Sequence, residues 1–128
     1  MSLLIKSTLR KGSPEKSGLP FLKIKNYVLG KDYDLSLVFV GDKFSKKLNG
    51  KYRGKNKPTN ILSFPISSDE GEIFINPHQA SKDAPLFDMD RTKFLTYLFI
   101  HGLLHLKGFE HSSKMDSKEK EILKKFKI

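Results

Sequence analysis

The alternation of apolar and polar residues along the chain predicts four strands and four longer helices. Short apolar or β-branched runs, typical of strands, lie at 3–5, 35–40, 59–66 and 72–76. Apolar residues at helical spacing predict helices over 20–30, 43–50, 91–107 and from 113 to the C-terminus. Pro65 places the third strand at an edge of the sheet or at its own end. The third and fourth strands are expected to pair antiparallel.

The second helix is predicted to be a basic amphipathic segment. Asp42 is the expected N-cap, and the Asn49-Gly50 pair is expected to fray the helix into a basic loop over 52–58. The predicted inward stripe has residues spaced four apart: Phe44, Leu48 and Tyr52. The lysines of this helix are expected to lie on its outer surface.

The other helices differ in how much of their surface is apolar. The first helix is expected to bury Tyr27 along with its aliphatic residues, and the central helix is apolar nearly all round, so it should be largely buried. Asp88 or Asp90 is the expected cap of the central helix. A capping box over 113–116 is expected to open the last helix, whose Lys and Glu residues should face water. A polar loop is predicted at 11–18, and residues 77–89 are expected to form a connection that can include a helical turn.

Length and composition predict one small domain spanning residues 1–128. No apolar run is long enough for a membrane span, and the N-terminus has no signal-peptide core. The chain has no cysteine, which excludes disulfides and thiolate metal ligands and fits the cytoplasm. Any metal ion must therefore be bound by nitrogen or oxygen atoms.

The net charge of +10 resides entirely in the first half of the chain. Residues 1–60 contain 14 Lys and Arg against 4 Asp and Glu, whereas residues 61–128 contain 10 of each. Between 43 and 57 there is no acidic residue but seven basic ones: Lys43, Lys46, Lys47, Lys51, Arg53, Lys55 and Lys57. These seven predict a patch that faces a polyanion, which favours nucleic-acid binding; charge alone does not separate DNA, RNA and a membrane surface, and a lysine-rich surface can also be merely solvated.

Three of the four histidines are concentrated in one short segment of the chain. His101 and His105 lie about one helical turn apart, so both rings should project from one face. Gly108 can adopt the left-handed conformation that ends a helix, which would bring His111 back over the pair. The sequence predicts a three-histidine metal site with one open position, the pattern of catalytic zinc. The fourth histidine, His78, is expected to be an exposed loop residue.

The spacing of these histidines is that of the zinc helix of metzincin peptidases. Gly102, however, occupies the position where a zinc peptidase has its general-base glutamate. A zinc hydrolase of another kind is therefore favoured. Imidazole ligands also fit nickel, copper and cobalt.

Two stretches, LNGKYRGKNKPTNILSFP from 48 to 65 and HGLLHLKGFEH from 101 to 111, resemble the YbeY-type endoribonucleases. The order of elements between them matches as well, including the strand Gly71-Glu72-Ile73. The resemblance implies an α/β (α+β) fold, a single compact domain with a small four-stranded mixed sheet packed by helices. It also implies a zinc-dependent endoribonuclease that prefers single strands and acts in 16S ribosomal RNA maturation and ribosome quality control. Ribosomal RNA and ribosomal or ribosome-associated proteins are the implied partners.

Carried over residue by residue, the resemblance assigns one zinc ion to His101, His105 and His111. Arg53 matches the family's functionally important arginine, so Arg53 and His105 are the predicted catalytic residues. Glu110 and Glu72 stand where the family commonly has aspartate. Two alternatives remain, a non-catalytic zinc-stabilised RNA- or ribosome-binding module and a minimal zinc peptidase.

Overall fold

The computed structural model describes residues 2–10, 13–14 and 18–128. The predicted loop over 11–18 therefore lies largely outside the described residues. The elements are β1 (Leu3–Ser7), α1 (Phe21–Leu29), β2 (Asp34–Phe39), α2 (Asp42–Arg53), β3 (Ile61–Ser67), β4 (Glu70–Ile75), α3 (Pro77–Asp83), α4 (Arg91–Leu106) and α5 (Ser113–Lys125). A turn of 3-10 helix at Ala84–Phe87 follows α3. Across the described ranges, no helix combines the length and the apolar character needed to cross a membrane.

The four strands form one mixed sheet in the order β1-β2-β4-β3. β1 and β4 both pair parallel to β2, whereas β3 pairs antiparallel to β4. Pro65 lies in β3, which is an edge strand, and the register shifts between Pro65 and Ser67. Proline is tolerated there because an edge strand needs no amide donor on its open side. The predicted four-stranded mixed sheet is confirmed.

The central helix α4 packs on one face of the sheet and contacts α1, α3 and α5. Nine of its sixteen residues are buried, among them Phe94, Phe99 and Leu103. Asp90 caps it, because its carboxylate accepts a hydrogen bond of 2.8 Å from the Lys93 amide. The all-round apolar character of this helix therefore reflects burial, as predicted, and this burial fixes the position of α4 against the sheet.

The prediction for the inward face of α2 is wrong. Phe44 and Tyr52 are exposed, with 42% and 55% of their surface accessible, and the buried residues are Ser45 and Asn49. These two polar side chains bind the backbone of the following loop, which satisfies that loop's buried polar groups. The helix therefore continues through the Asn49-Gly50 pair and ends at Gly54, whose φ of 67° is left-handed.

Several helix starts also differ from the predictions by one residue. Asp42 is the first residue of α2 rather than its cap, and its carboxylate contacts the side chains of Asn76 and His78, each at 2.8 Å. The hydrogen bond from Asn76 is the main cause that holds the pKa of Asp42 below its ordinary value. His78 is exposed, as expected, but it lies in α3 rather than in a loop.

In the C-terminal helix the cap is Ser112, not the residue after it. The Ser112 hydroxyl accepts a hydrogen bond of 3.2 Å from the Met115 amide. Tyr27, predicted to be buried, is 42% exposed and contacts the edge of the Phe126 ring. A tyrosine can occupy such a border position because its ring packs on one side while its hydroxyl reaches water.

Candidate metal centre and active site

The end of α4 and the turn after it bring three imidazoles together. His101 and His105 lie one turn apart on α4, with ring centroids 4.6 Å apart. Gly108 has a φ of 105°, so the chain reverses there and returns His111 to within 5.0 Å and 4.8 Å of the other two ring centroids. One nitrogen from each ring lies within 4.8 Å of the others. The predicted convergence is present.

Glu119 of α5 orients the first of these imidazoles. Its carboxylate oxygen Oε2 lies 2.6 Å from His101 Nδ1, and the residue is only 3% exposed. Because a carboxylate accepts, Nδ1–H donates and the Nε2 lone pair of His101 is left free. The sequence analysis placed the acidic residues of α5 in water, which is wrong for Glu119. The sequence signal for the burial of Glu119 was its position, four residues after the buried Met115 and three before the buried Ile122.

His105 is oriented in the same way by a backbone group. Its Nδ1 lies 3.2 Å from the Phe109 carbonyl oxygen, which can only accept, so His105 Nε2 is also a free acceptor. Burial, and then the charges of His101 and His111, lower the pKa of His105 below its ordinary value. The imidazole is therefore neutral at pH 7, which is the form that binds metal ions.

The two free nitrogens face one another, and this arrangement fits a cation. His101 Nε2 and His105 Nε2 are 3.1 Å apart, and two lone pairs at that distance repel unless a positive charge lies between them. A tetrahedral zinc ion with Zn–N bonds of about 2.0–2.1 Å separates two ligand nitrogens by about 3.3 Å. The residues therefore fit one ion bound by imidazole nitrogens, with zinc, nickel, copper and cobalt all compatible.

A cleft of about 430 Å³ lies over the three histidines. Its other lining residues are Arg53, Thr59, Asn60, Ile61 and Ser63. Arg53, at the end of α2, is thus in the same cleft as the histidines although 48 positions separate it from His101 in the sequence. Partial burial lowers the pKa of Arg53 from its ordinary value, but an arginine keeps its charge at neutral pH. Thr59, Asn60 and Ser63 were not predicted, because isolated polar residues give no sequence signal.

At Gly102, α4 packs closely against side chains of the sheet. A β-carbon there would lie 2.8 Å from Ser63 Oγ and 3.0 Å from the terminal carbons of Ile61 and Ile73. A glutamate at this position would require the side chains of Ser63, Ile61 and Ile73 to move. Gly102 is therefore a packing residue.

A profile of the family described as Endoribonuclease YbeY matches residues 19–127. The chain belongs to this family. A protein named Endoribonuclease YbeY from Thermodesulfovibrio yellowstonii is 40% identical over 106 residues, which cover 73% of this chain and 67% of that protein. Another from Nautilia profundicola is 38% identical over 109 residues, 80% of this chain and 78% of that protein. The solution structure of a Thermotoga maritima protein matches with a TM-score of 0.69 at 27% identity, covering 97% of this chain and 88% of that one.

The predicted basic residues of this YbeY-family chain lie in two places. Lys43, Lys46, Lys47 and Lys51 are exposed on α2, outside the lining of the cleft. Lys55 and Lys57 lie in the loop after α2 and line a second cavity together with Arg53. The two acidic residues that differ from the common YbeY pattern are not close partners of the histidines: Glu110 is exposed and Glu72 is half-buried on β4. Glu119 is the carboxylate that contacts one of the three clustered histidines.

Replacing Glu119 should weaken metal binding without removing a ligand. Glu119→Gln keeps the size of the side chain but loses the charge that orients His101 and raises its basicity. We expect zinc affinity to fall about 10- to 100-fold, the usual effect of losing such a partner. Competition with a chelating dye measures it. Glu121→Gln, which changes an exposed glutamate of the same helix, is the matched control, and equal affinities in the two variants would contradict the role of Glu119.

Gly102→Ala should destabilise the fold, because Ser63 and the two isoleucines must move to admit the methyl group. We expect the free energy of unfolding to fall by about 1–3 kcal/mol, as in other overpacked sites, measured by urea denaturation. Gly50→Ala is the control, since its β-carbon would meet nothing closer than 3.7 Å in the middle of α2, and alanine there should stabilise the helix by about 0.5–1 kcal/mol. If Gly102→Ala were no less stable than Gly50→Ala, the close approach of α4 to the sheet would be refuted.

Proposed function

We propose that this chain is a metal-dependent endoribonuclease that prefers single-stranded RNA and acts in 16S ribosomal RNA maturation and ribosome quality control. The observation that carries the proposal is the presence of three convergent imidazoles and Arg53 in one cleft. Membership of the YbeY family supports RNA as the substrate. We expect the protein to act in the cytoplasm, with ribosomal RNA and ribosomal or ribosome-associated proteins as partners.

In this proposal His101, His105 and His111 hold one zinc ion. The ion would supply Lewis-acid chemistry at a phosphodiester, polarising a phosphoryl oxygen and making a water more acidic. Glu119 and the Phe109 carbonyl hold His101 and His105 in the tautomers whose Nε2 atoms face the cleft. These two contacts organise the site before any substrate enters, and so avoid a reorganisation cost during the reaction.

Arg53, which lines the same cleft as the histidines, would bind the scissile phosphate. Its planar guanidinium can donate two parallel hydrogen bonds to phosphate oxygens. The same donors stabilise the negative charge that develops on those oxygens during cleavage. His105 and Arg53 are therefore the proposed catalytic residues.

The basic residues between 43 and 57 would bind the RNA backbone. Contacts of this kind give affinity that falls steeply with salt and has little dependence on sequence. The cleft of about 430 Å³ has the volume of a small-molecule site, so it can admit a segment of one strand. This supports the preference for single strands.

The experiment that tests the proposal compares zinc-loaded and chelated protein, purified without a histidine tag and checked by elemental analysis. We expect the loaded protein to cleave single-stranded RNA faster than structured RNA, the chelated protein to be inactive, and added zinc to restore cleavage. Cleavage that survives chelation would contradict the proposal and indicate a contaminating nuclease. Tight RNA binding without cleavage would favour the binding module, and digestion of a peptide library would favour a peptidase.

A further inference from the structure

Four aromatic side chains form a continuous row on the side of the molecule where α2 meets the sheet. The ring centroid of Tyr52 lies 4.8 Å from that of Phe64, Phe64 lies 5.8 Å from Phe74, and Phe74 lies 6.0 Å from Phe44. Tyr52 and Phe44 belong to α2, whereas Phe64 and Phe74 belong to the paired strands β3 and β4. We call these four residues the aromatic row.

The aromatic row lies on the face of the sheet that is turned away from α4. The side chains of Ser63 and Ile73 lie against α4 at Gly102. Successive side chains of a strand point to opposite faces of a sheet, so Phe64 and Phe74 point away from α4. None of the four rings belongs to the hydrophobic core that the described residues form. The core that supports the three histidines therefore does not account for the aromatic row.

The two rings that α2 contributes to this row are the more exposed ones. Tyr52 is 55% exposed and Phe44 is 42% exposed, whereas Phe64 and Phe74 are half-buried. A contiguous group of exposed apolar side chains indicates a binding surface. The Lys51 ammonium lies over the Tyr52 ring, 5.2 Å from its centroid, so a group on the protein surface already reaches this ring. The ring is accessible to a ligand in the same way.

Positive charge runs alongside the exposed rings. Lys43, Lys47 and Lys51 are all exposed, and they lie four positions apart on α2. Two of them directly precede Phe44 and Tyr52 in the sequence. Because residues four apart share one side of a helix, the lysines form a stripe next to the two rings. We call these three residues the lysine stripe.

We propose that the aromatic row is a stacking platform for unpaired RNA bases and that the lysine stripe binds the phosphates of the same strand. This inference rests on the proposed function, because it takes RNA as the ligand. Aromatic rings beside a positively charged track are the combination with which proteins bind single strands, since every base has a flat face that can stack. A duplex hides these faces, so the platform also favours an unpaired strand.

The platform is continuous with the metal cleft. Tyr52 directly precedes Arg53, which lines that cleft, so a strand with one phosphate at Arg53 has its next nucleotides beside Tyr52. Phe44 lies eight residues earlier on α2, about 12 Å away along the helix axis. The two exposed rings can therefore hold two different bases of one strand that leaves the cleft along α2.

The charges beside the row determine which side the phosphates take. Glu72 pairs in register with Phe64, so its carboxylate belongs to the same face of the sheet. A carboxylate repels phosphates, whereas the lysine stripe attracts them. The backbone therefore follows the lysines of α2, and the bases turn toward the rings. Lys51 is flexible, so a base can take its place over Tyr52 while its ammonium binds a phosphate.

The test measures the binding of two fluorescent strands to zinc-loaded protein by anisotropy: a short oligoadenylate and an abasic strand of the same length and charge. We expect Phe44→Leu and Tyr52→Leu each to weaken oligoadenylate binding by about 5- to 100-fold, the effect of losing one stacked base. Leucine keeps apolar packing against the sheet but cannot stack. Binding of the abasic strand should not change, and a gel confirms that the strands are intact.

Tyr27→Leu is the matched control. Tyr27 is also a 42% exposed tyrosine, with Lys125 Nζ 4.8 Å from its ring centroid, but it belongs to α1, which packs on α4. Its replacement should leave both affinities unchanged. Lys47→Ala gives the opposite signature: binding of both strands should weaken, and the salt dependence should fall by about 0.7 in log–log slope for one lost phosphate contact. The leucine variants of the row should keep the slope of the wild type.

Several results would overturn the platform. These are an equal loss of affinity for the abasic strand, unchanged binding of oligoadenylate in both leucine variants, or the same loss in Tyr27→Leu. Binding of vesicles that contain phosphatidylglycerol, or self-association seen by sedimentation, would assign the surface to a membrane or to a second copy of the chain if the leucine variants abolished it and left RNA binding intact.

A measurement on the unaltered protein decides the matter if a variant fails to fold. Ultraviolet cross-linking to RNA that contains 4-thiouridine, followed by mass spectrometry, should mark Phe44 or Tyr52. Cross-links confined to other residues would refute the platform. Binding needs no cleavage, so base-dependent affinity in a protein that cleaves no RNA would support the platform and refute the nuclease. Cleavage of RNA with unchanged binding in the leucine variants would refute the platform alone.

Discussion

His105→Ala should abolish both zinc binding and RNA cleavage. His105 is the middle of the three histidines, and its Nε2 faces His101 Nε2 at 3.1 Å, so its loss leaves a site with two separated ligands. We expect zinc affinity and the rate of cleavage each to fall by more than about 100-fold, since even partners outside the ligand set typically contribute 10- to 100-fold. Zinc is measured by elemental analysis after dialysis, and cleavage with a labelled single-stranded RNA.

The matched control for this variant is His78→Ala. His78 is exposed on α3 and contacts Asp42 rather than the other histidines. Its replacement should leave zinc content and cleavage unchanged. Cleavage that persists in His105→Ala after its zinc is lost would show that the ion has no part in the reaction.

Arg53→Ala should lower cleavage by about 10²- to 10³-fold, the usual effect of removing one group that stabilises developing charge. Zinc content should not change, because Arg53 is not a ligand. Cleavage should fall because the described lining of the cleft has no other positively charged side chain. Measuring kcat and KM separately shows whether the loss lies in the reaction step, as we expect, or in binding.

Arg53→Lys refines this prediction, because it keeps the charge and removes the planar pair of donors. We expect it to recover only a small part of the activity, since a lysine binds phosphate as a point charge. Arg10→Ala is the control, because Arg10 is an exposed arginine that follows β1, at the opposite edge of the sheet from β3. Full activity in Arg53→Ala would contradict the assignment while leaving the metal role intact.

Both predictions depend on the parts of the fold that hold the three histidines and Arg53 in place. α4 is buried along most of its length, which fixes the helix that carries His101 and His105, and each of the two imidazoles is held through its Nδ1. Arg53 lines the same cleft from the end of α2, a helix whose following loop is held by Ser45 and Asn49. This rigidity is consistent with a site formed before the substrate arrives.

The features that the sequence by itself determined are those that depend on spacing along one element. The interval between His101 and His105 is one helical turn, and Gly108 permits the reversal that returns His111, so the cluster of three histidines could be predicted from neighbours in the chain. The strands were predicted from the pattern of apolar residues. The edge position of Pro65 was predicted because proline has no backbone N–H to donate to a neighbouring strand.

Only the tertiary structure decided which side chains from other elements contact the predicted ones. Glu119 was placed in water because glutamates usually lie there, but its burial against His101 depends on how α5 crosses α4. Ser45 and Asn49, rather than the aromatic residues, are buried on the inner face of α2, because their side chains form hydrogen bonds with the backbone of the following loop. A periodic pattern identifies which residues share a face, whereas the partner of that face is fixed only when the elements pack together.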